Sequence, residues 1–247
     1  MIFTLAAKEL KALFASPLAW IVMAVLQTIF AWIFLSRVNA FLLVQPQLLQ
    51  LSNPPGATEF IAMPLFGSIA VVLLMAVPLL SMRLVAEERR NQTMPFLLSA
   101  PLSMTEIILG KFLGLLLFLA AVIGLAALMA VSLGLGTQPD YGLIIDNVLG
   151  LLLIAACYAS LGLFISCLTA QPVVAAIATL GALLALWVID AAAGAPDSWL
   201  HWVSLFKHFE SFNRGLIDTA DIAFLALFTT VFLALAIRRL DADRLRG

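Results

Sequence analysis

The chain has 247 residues, 64% of them hydrophobic and 11% charged, with a formal net charge of −1 and a mean hydropathy of +1.12. A soluble domain of this size cannot cover so much apolar surface with polar groups, and runs of about 20 apolar residues match the roughly 30 Å hydrocarbon core of a bilayer. The composition therefore predicts an all-α integral membrane protein, and the near-zero net charge argues against a nucleic-acid binder.

The opening "MIFTLAAKELKALF" puts Phe3, Ala6, Leu10, Leu13 and Phe14 on one helical face and Thr4, Lys8 and Lys11 opposite. This pattern predicts an interfacial amphipathic helix over 1–16, turned into the first span at Ser16-Pro17. The alternative is an extended start to the first span. A cleavable signal peptide is not expected, because the apolar run continues for about 20 residues and contains Trp20, Trp32 and Phe34. Six spanning helices are expected near 18–38, 61–82, 112–135, 147–168, 172–191 and 221–237.

Of the thirteen Lys and Arg, ten fall on one side of this arrangement: Lys8, Lys11, Arg83, Arg89, Arg90, Lys111, Arg238, Arg239, Arg244 and Arg246. Arg37, Lys207 and Arg214 fall on the other. The positive-inside rule then places both termini in the cytoplasm, consistent with an even number of spans. On the outer side, loop 39–60 has turn chemistry at Asn53-Pro54-Pro55-Gly56, and loop 136–146 is short. The last outer segment, 192–220, predicts a short helix with Asp197 and Ser198 as caps and Gly215 as its stop. Trp199, Trp202, Leu205, Phe206 and Phe209 form its stripe, expected at headgroup level and in contact with lipid or a partner, with Lys207, Glu210 and Arg214 toward water.

Several kinds of chemistry find no residues. Gly110-Lys111 is followed by Phe112, and Thr105 stands where a P-loop needs its first glycine. The middle of every expected span lacks Asp, Glu, Lys, Arg and His, which argues against an ion-coupled carrier. Gln27, Ser68, Cys157, Tyr158, Ser160 and Thr179 are the polar members of the spans and are read as interhelical hydrogen bonds. Cys157 and Cys167 are ten residues apart, about 15 Å along a helix, and cannot pair. His201 and His208, with Asp197 and Glu210 nearby, are seven apart and poorly spaced for a metal. No cofactor, metal or catalytic residue is expected in the chain.

The stretch from Arg83 to Lys111 is 29 residues of charge and punctuation between two oily runs. Its start is expected to continue the second span as an amphipathic helix into water, with Leu84 and Val85 toward the membrane and Glu87 to Arg90 solvated. Met94, Phe96, Leu97 and Leu98 make an apolar patch, and Ser103 with Glu106 a capping box into the third span. By composition alone this is either a compact docking element or a solvated loop that keeps orientation by charge.

The stretch "LVAEERRNQTMPFLLSAPLS…GK" resembles the signature of ABC-2 type transporter permeases. That signature is a Glu-Arg/Lys-x-x-Gly-Thr run, then Leu-Leu-x-x-Pro, then Gly-Lys. Glu88, Arg89, Thr93, Leu97, Leu98, Pro101, Gly110 and Lys111 match it. Gln92 replaces the frequent glycine, and Pro95 stands where an acid is frequent. "KELKALFASPLAWI" and "HFESFNRGLIDTADIAFL" are similar to the gliding-associated (Gld-type) branch.

The resemblance implies a single permease domain over 1–247, with a coupling loop at 83–111, in an ABC-2 (type V exporter-like) fold of the bacterial inner membrane. It implies a membrane dimer of twelve spans, formed with a second copy or with a Gld-type subunit bearing a large outer domain. Two separate ATPase subunits would bind ATP and Mg. Their contact would be the coupling loop (Glu87, Glu88, Arg89, Arg90, Thr93, Phe96, Leu97, Pro101) and the N-terminal helix (Lys8, Lys11). The implied function is ATP-driven export or conformational work on an outer partner. The alternative is a mechanical relay or scaffold that translocates nothing.

Overall fold

The computed structural model describes residues 1–48, 56–94, 103–192 and 204–244. The described chain is helical throughout: α1 (Ile2–Ala15), α2 (Pro17–Leu48), α3 (Ala57–Ser81), α4 (Ala86–Arg90), α5 (Met104–Val131), α6 (Tyr141–Leu168), α7 (Pro172–Ala192), α8 (Leu205–Asn213) and α9 (Thr219–Arg244). A 3₁₀ turn, Ser132–Leu135, prolongs α5. Five stretches are long and apolar enough to cross a membrane: Pro17–Gln47, Ala57–Arg90, Met104–Leu135, Tyr141–Leu168 and Thr219–Arg244. The fifth expected span, 172–191, corresponds to α7, whose apolar stretch Pro172–Val188 is shorter.

The spans outrun their expected limits because their caps lie further out than the apolar runs. Ser103 accepts from Glu106 N–H at 3.2 Å, while the Glu106 carboxylate accepts from Ser103 N–H at 3.0 Å. The expected capping box is therefore present, and it opens α5 directly. Asp140 caps α6 by accepting from Leu143 N–H at 3.2 Å, which reduces the loop expected at 136–146 to five residues after the 3₁₀ turn. α2 continues to Leu48 and α3 starts at Ala57, so helix occupies most of what was expected to be loop 39–60. Of the turn at Asn53-Pro54-Pro55-Gly56, only Gly56, the N-cap of α3, is among the described residues.

α3, α5 and α6 form the enclosed middle of the bundle, while α2 and α9 lie at its periphery. α2 leaves Trp20, Ile21, Val25, Trp32, Leu35 and Leu43 exposed, as a helix facing lipid does. Small residues set the closest approaches. A Cβ on Gly110 would meet the Leu5 side chain at 2.7 Å, and one on Gly114 would meet Glu9 Cβ at 2.7 Å. This small-xxx-small pair lets α1 lie directly on α5.

The polar side chains of the spans divide. Gln27 Nε2 donates to Val122 O at 2.8 Å and Cys157 Sγ to Leu225 O at 3.3 Å, both between helices as expected. Ser68, Ser160 and Thr179 instead donate to carbonyls of their own helix, at Pro64, Cys157 and Ala175. A hydroxyl one turn from a carbonyl finds that acceptor without a partner helix, so the interhelical reading of these three is corrected. Cys157 and Cys167 are separate buried thiols.

Candidate functional site

The charged stretch does not continue α3 into water. The helix ends at Ser81, the backbone turns over Met82–Val85, and α4 starts afresh at Ala86. Two features force the break. Leu84 and Val85 are buried, and Ser166 on α6 supplies the cap that α4 lacks. Its hydroxyl accepts from Val85 N–H at 3.2 Å and Ala86 N–H at 3.0 Å, and donates to Met82 O at 3.1 Å. One side chain from a distant helix thus satisfies groups on both sides of the corner.

α4 is closed by a Schellman turn. Thr93 N–H donates to Glu88 O at 3.0 Å and Gln92 N–H to Arg89 O at 3.2 Å, with Gln92 at φ +55°. These bonds are the 6→1 and 5→2 pair of that motif, and Gln92 occupies its left-handed position. The Thr93 hydroxyl also donates to Glu88 O, at 3.2 Å. This gives the Glu-Arg-x-x-Gly-Thr signature a physical reason: glycine is the residue that takes φ > 0 without strain. The substitution by Gln92 leaves the turn geometry intact.

Glu88 and Arg89 point inward, which corrects the expectation that Glu87 to Arg90 are all solvated. Lys111 Nζ, on a side chain only 2% exposed, donates to Glu88 Oε1 at 2.6 Å and to Glu9 Oε1 at 3.1 Å. It therefore joins α4, α5 and α1. Arg89 pairs with Asp243 near the end of α9, and Arg239 reaches the same carboxylate at 3.5 Å. The six groups, three acids and three bases, form a neutral set that binds four helices. Glu87 pairs loosely with Arg83 at 4.0 Å, and Arg90 and Thr93 are exposed. Phe96, Leu97 and Pro101 lie outside the described residues.

Glu9 also corrects the orientation of α1. The packed face holds Ala6, Leu10, Leu13 and Phe14 of the expected stripe together with Leu5 and Glu9, while Phe3 is 83% exposed. This face is turned by about 40° from the centre of the expected apolar stripe, at 100° per residue. The cause is the Gly110/Gly114 groove and the Lys111 ammonium, which together seat Leu5 and Glu9. Lys8 and Lys11 stay exposed on the far side, as expected. The turn at Ser16-Pro17 is present, held by Trp20 Nε1–H donating to Phe14 O at 2.7 Å. α1, the start of α2, the end of α3 and α4 enclose a cleft of about 360 Å³ lined by Glu9, Leu13, Leu80, Arg83, Glu88 and Lys111 among others.

At the opposite end, α8 is capped by Ser204, which accepts from Lys207 N–H at 3.1 Å. The expected caps Asp197 and Ser198, with Trp199, Trp202 and His201, lie outside the described residues. Gly215 ends the helix as expected, at φ +74°, again in a Schellman turn: Gly215 N–H donates to Phe212 O and Leu216 N–H to Ser211 O, both at 2.9 Å. Phe209 is not at the surface. It and Phe212 are fully buried against α6, where a Cβ on Gly150 would meet Phe212 Cβ at 2.6 Å. The stripe expected to touch lipid or a partner is thus partly core, because Gly150 opens a seat for it. Phe206 is half-buried and packs on Phe209 with centroids 5.9 Å apart. Arg214 is exposed and pairs with Glu210. His208 Nδ1 lies 2.5 Å from Asp221 Oδ1 on α9, and its ring stacks on Phe224.

Among the described residues, no group of three or more His, Cys, Asp or Glu is placed to hold a metal ion. Gln27 and Tyr158 line separate cavities, one with Trp32 and Met129, the other with Leu74 and Trp187. The sequence reading missed Glu9, Ser166 and Asp243. A signal existed for two of them: Glu9 is the lone acid of α1, and Asp243 stands one helical turn after Arg239. Ser166 had none, since nothing local marks a serine in an apolar helix as another element's cap.

No curated protein matches the chain. The family model described as ABC-2 family transporter protein matches residues 3–245, and members of that family are membrane permeases that lack an ATPase domain and pair with ABC ATPases. The cap and turn chemistry that the ABC-2 signature residues perform at α4 fits that match, and the chain belongs to the ABC-2 family as a multi-pass membrane permease subunit.

Proposed function

We propose that this permease couples hydrolysis by a separate cytoplasmic ABC ATPase to export or to conformational work on an outer partner. The ATPase docks on α1 and α4, with the 95–102 stretch as a further contact. The observation that carries this reading is the ion-paired joint: Lys111 and Asp243 tie α4 to α1, α5 and α9, so force on α4 reaches three other helices. Glu87, Arg90, Thr93, Lys8 and Lys11 are the docking residues left exposed or half-exposed, and Phe96, Leu97 and Pro101 are further contacts implied by the resemblance. Glu88 and Arg89 hold the element together rather than meet the ATPase. In this reading α7 also spans the membrane, making six spans, the α4 end and both termini are cytoplasmic, the membrane is the bacterial inner membrane, and two such units give twelve spans.

Co-purification with the cognate ATPase in mild detergent tests it. Glu87→Lys and Arg90→Glu weaken the complex, while Arg214→Glu at the opposite end does not. Phe96→Ala removes about 1.5–3 kcal/mol of apolar burial, worth one to two orders of magnitude in affinity. An undiminished complex in all three α4-end variants counts against the docking surface. Single cysteines at Lys8 and Lys11 stay unlabelled by an impermeant reagent added from outside; labelling there reverses the topology.

A second reading, the relay that translocates nothing, is favoured by the separation of Gln27 and Tyr158 into different cavities, since a polar path would bring them into one groove. The likeness of 8–21 and 208–225 to the Gld-type branch supports an outer-domain partner for either reading.

A further inference from the structure

α9 meets the short helix at each end of the molecule through an acid. Asp243 holds Arg89 of α4, and Asp221 holds His208 of α8. The two acids are 22 residues apart, about 33 Å at 1.5 Å per residue, close to the hydrocarbon thickness of a bilayer. Between them α9 contains no Gly or Pro to bend it. It is seated along α6 by the Phe164–Phe232 contact at 5.7 Å and by Cys157 on Leu225 O. A stiff helix fixed at both ends moves as one body.

The α4 joint also carries groups for a second arrangement. Glu88 Oε2, Arg89 Nε and Arg239 Nε are buried without hydrogen-bond partners among the described residues. Buried polar groups are normally paired. Here an unmatched acceptor and two unmatched donors belong to three neighbouring side chains, two of which share Asp243, so a small shift of α4 can re-pair them.

We propose that α9 is a transmission rod: movement of α4 re-pairs Glu88, Arg89 and Arg239 about Asp243, and α9 delivers the displacement to α8 through Asp221 and His208. This rests on the reading of α4 as the ATPase-docking helix. Arg89, Arg239, Asp243, Asp221 and His208 are positioning residues in it.

The test uses the full permease in nanodiscs with saturating cognate ATPase carrying a hydrolysis-blocking substitution. A cysteine at the exposed Lys207 of α8 is modified with a polar maleimide with and without ATP and Mg; Cys157 and Cys167 are buried. In the otherwise native chain ATP changes the modification rate at least threefold. Asp243→Asn and, from the other end, Asp221→Asn or His208→Gln each reduce that change to less than 1.5-fold. The last two leave ATPase binding unchanged. Exchanging the pair as Arg89→Asp with Asp243→Arg restores at least half the response. Persistence of the full response in the Asp243 and Asp221 variants overturns the proposal, as does an unresponsive α8 when the ATPase is bound. If the ATPase binds but Glu87→Lys, Arg90→Glu and Phe96→Ala leave its affinity intact, the docking reading itself fails and the rod falls with it.

Discussion

α4 and α8 are built alike and anchored differently. Each is a short helix at one end of the molecule, and each ends in a Schellman turn with a left-handed residue, Gln92 in one and Gly215 in the other. α4 is held by charge: Lys111 and Asp243 reach it from α5 and α9. α8 is held mainly by packing: Phe209 and Phe212 fill the seat opened by Gly150. Close-packed aromatics have one good arrangement, whereas ion pairs can exchange partners. In the proposed reading, the end that answers to a docking subunit is the one built from exchangeable contacts, and the other end is carried.

The largest expected effect is at Lys111. Lys111→Met leaves Glu9 and Glu88 facing each other without a cation, and breaking a buried pair costs about 3–5 kcal/mol. Both glutamate side chains are partly exposed, at 15% and 25%, which places the cost at the lower end. Thermal unfolding in detergent checks it; an unchanged midpoint means the charges do not hold α4.

At the packed end, Gly150→Ala forces Phe212 from its seat, and overpacking of this kind costs about 1–3 kcal/mol. The same thermal measurement applies, with no dependence on salt. A salt-dependent loss would erase the contrast between the two ends.

Ser166→Ala removes the acceptor for two N–H groups at the corner before α4 and costs about 1–2 kcal/mol. Hydrogen exchange at Val85 and Ala86 accelerates, while protection in α8 is unchanged. Equal loosening at both ends would show that the corner is not local to α4.

The smallest effects are the reciprocal turn exchanges. Gln92→Gly relieves a left-handed residue and stabilises by up to about 1 kcal/mol, and Gly215→Gln destabilises by about as much. A stability cost for Gln92→Gly would mean that the glutamine side chain has a role its exposed position does not indicate.

Much of this architecture is legible in the chain because it depends on neighbours in sequence. The apolar runs, the Ser16-Pro17 turn, the Ser103–Glu106 box and the Gly215 stop follow from local chemistry, and all appear in the structure. The class of protein is equally local, since a bilayer selects for composition and run length. What tertiary structure decided is the direction in which the few charged and aromatic side chains point. Whether Glu88 is solvated or buried depends on Lys111, 23 residues away, and on Glu9, 79 residues before it. Phe209 became core through Gly150, and the helix broke at Met82–Val85 through Ser166. Each turns on a close approach between distant segments, which helical periodicity cannot register: a 3.6-residue repeat says which residues share a face, not which helix that face will meet.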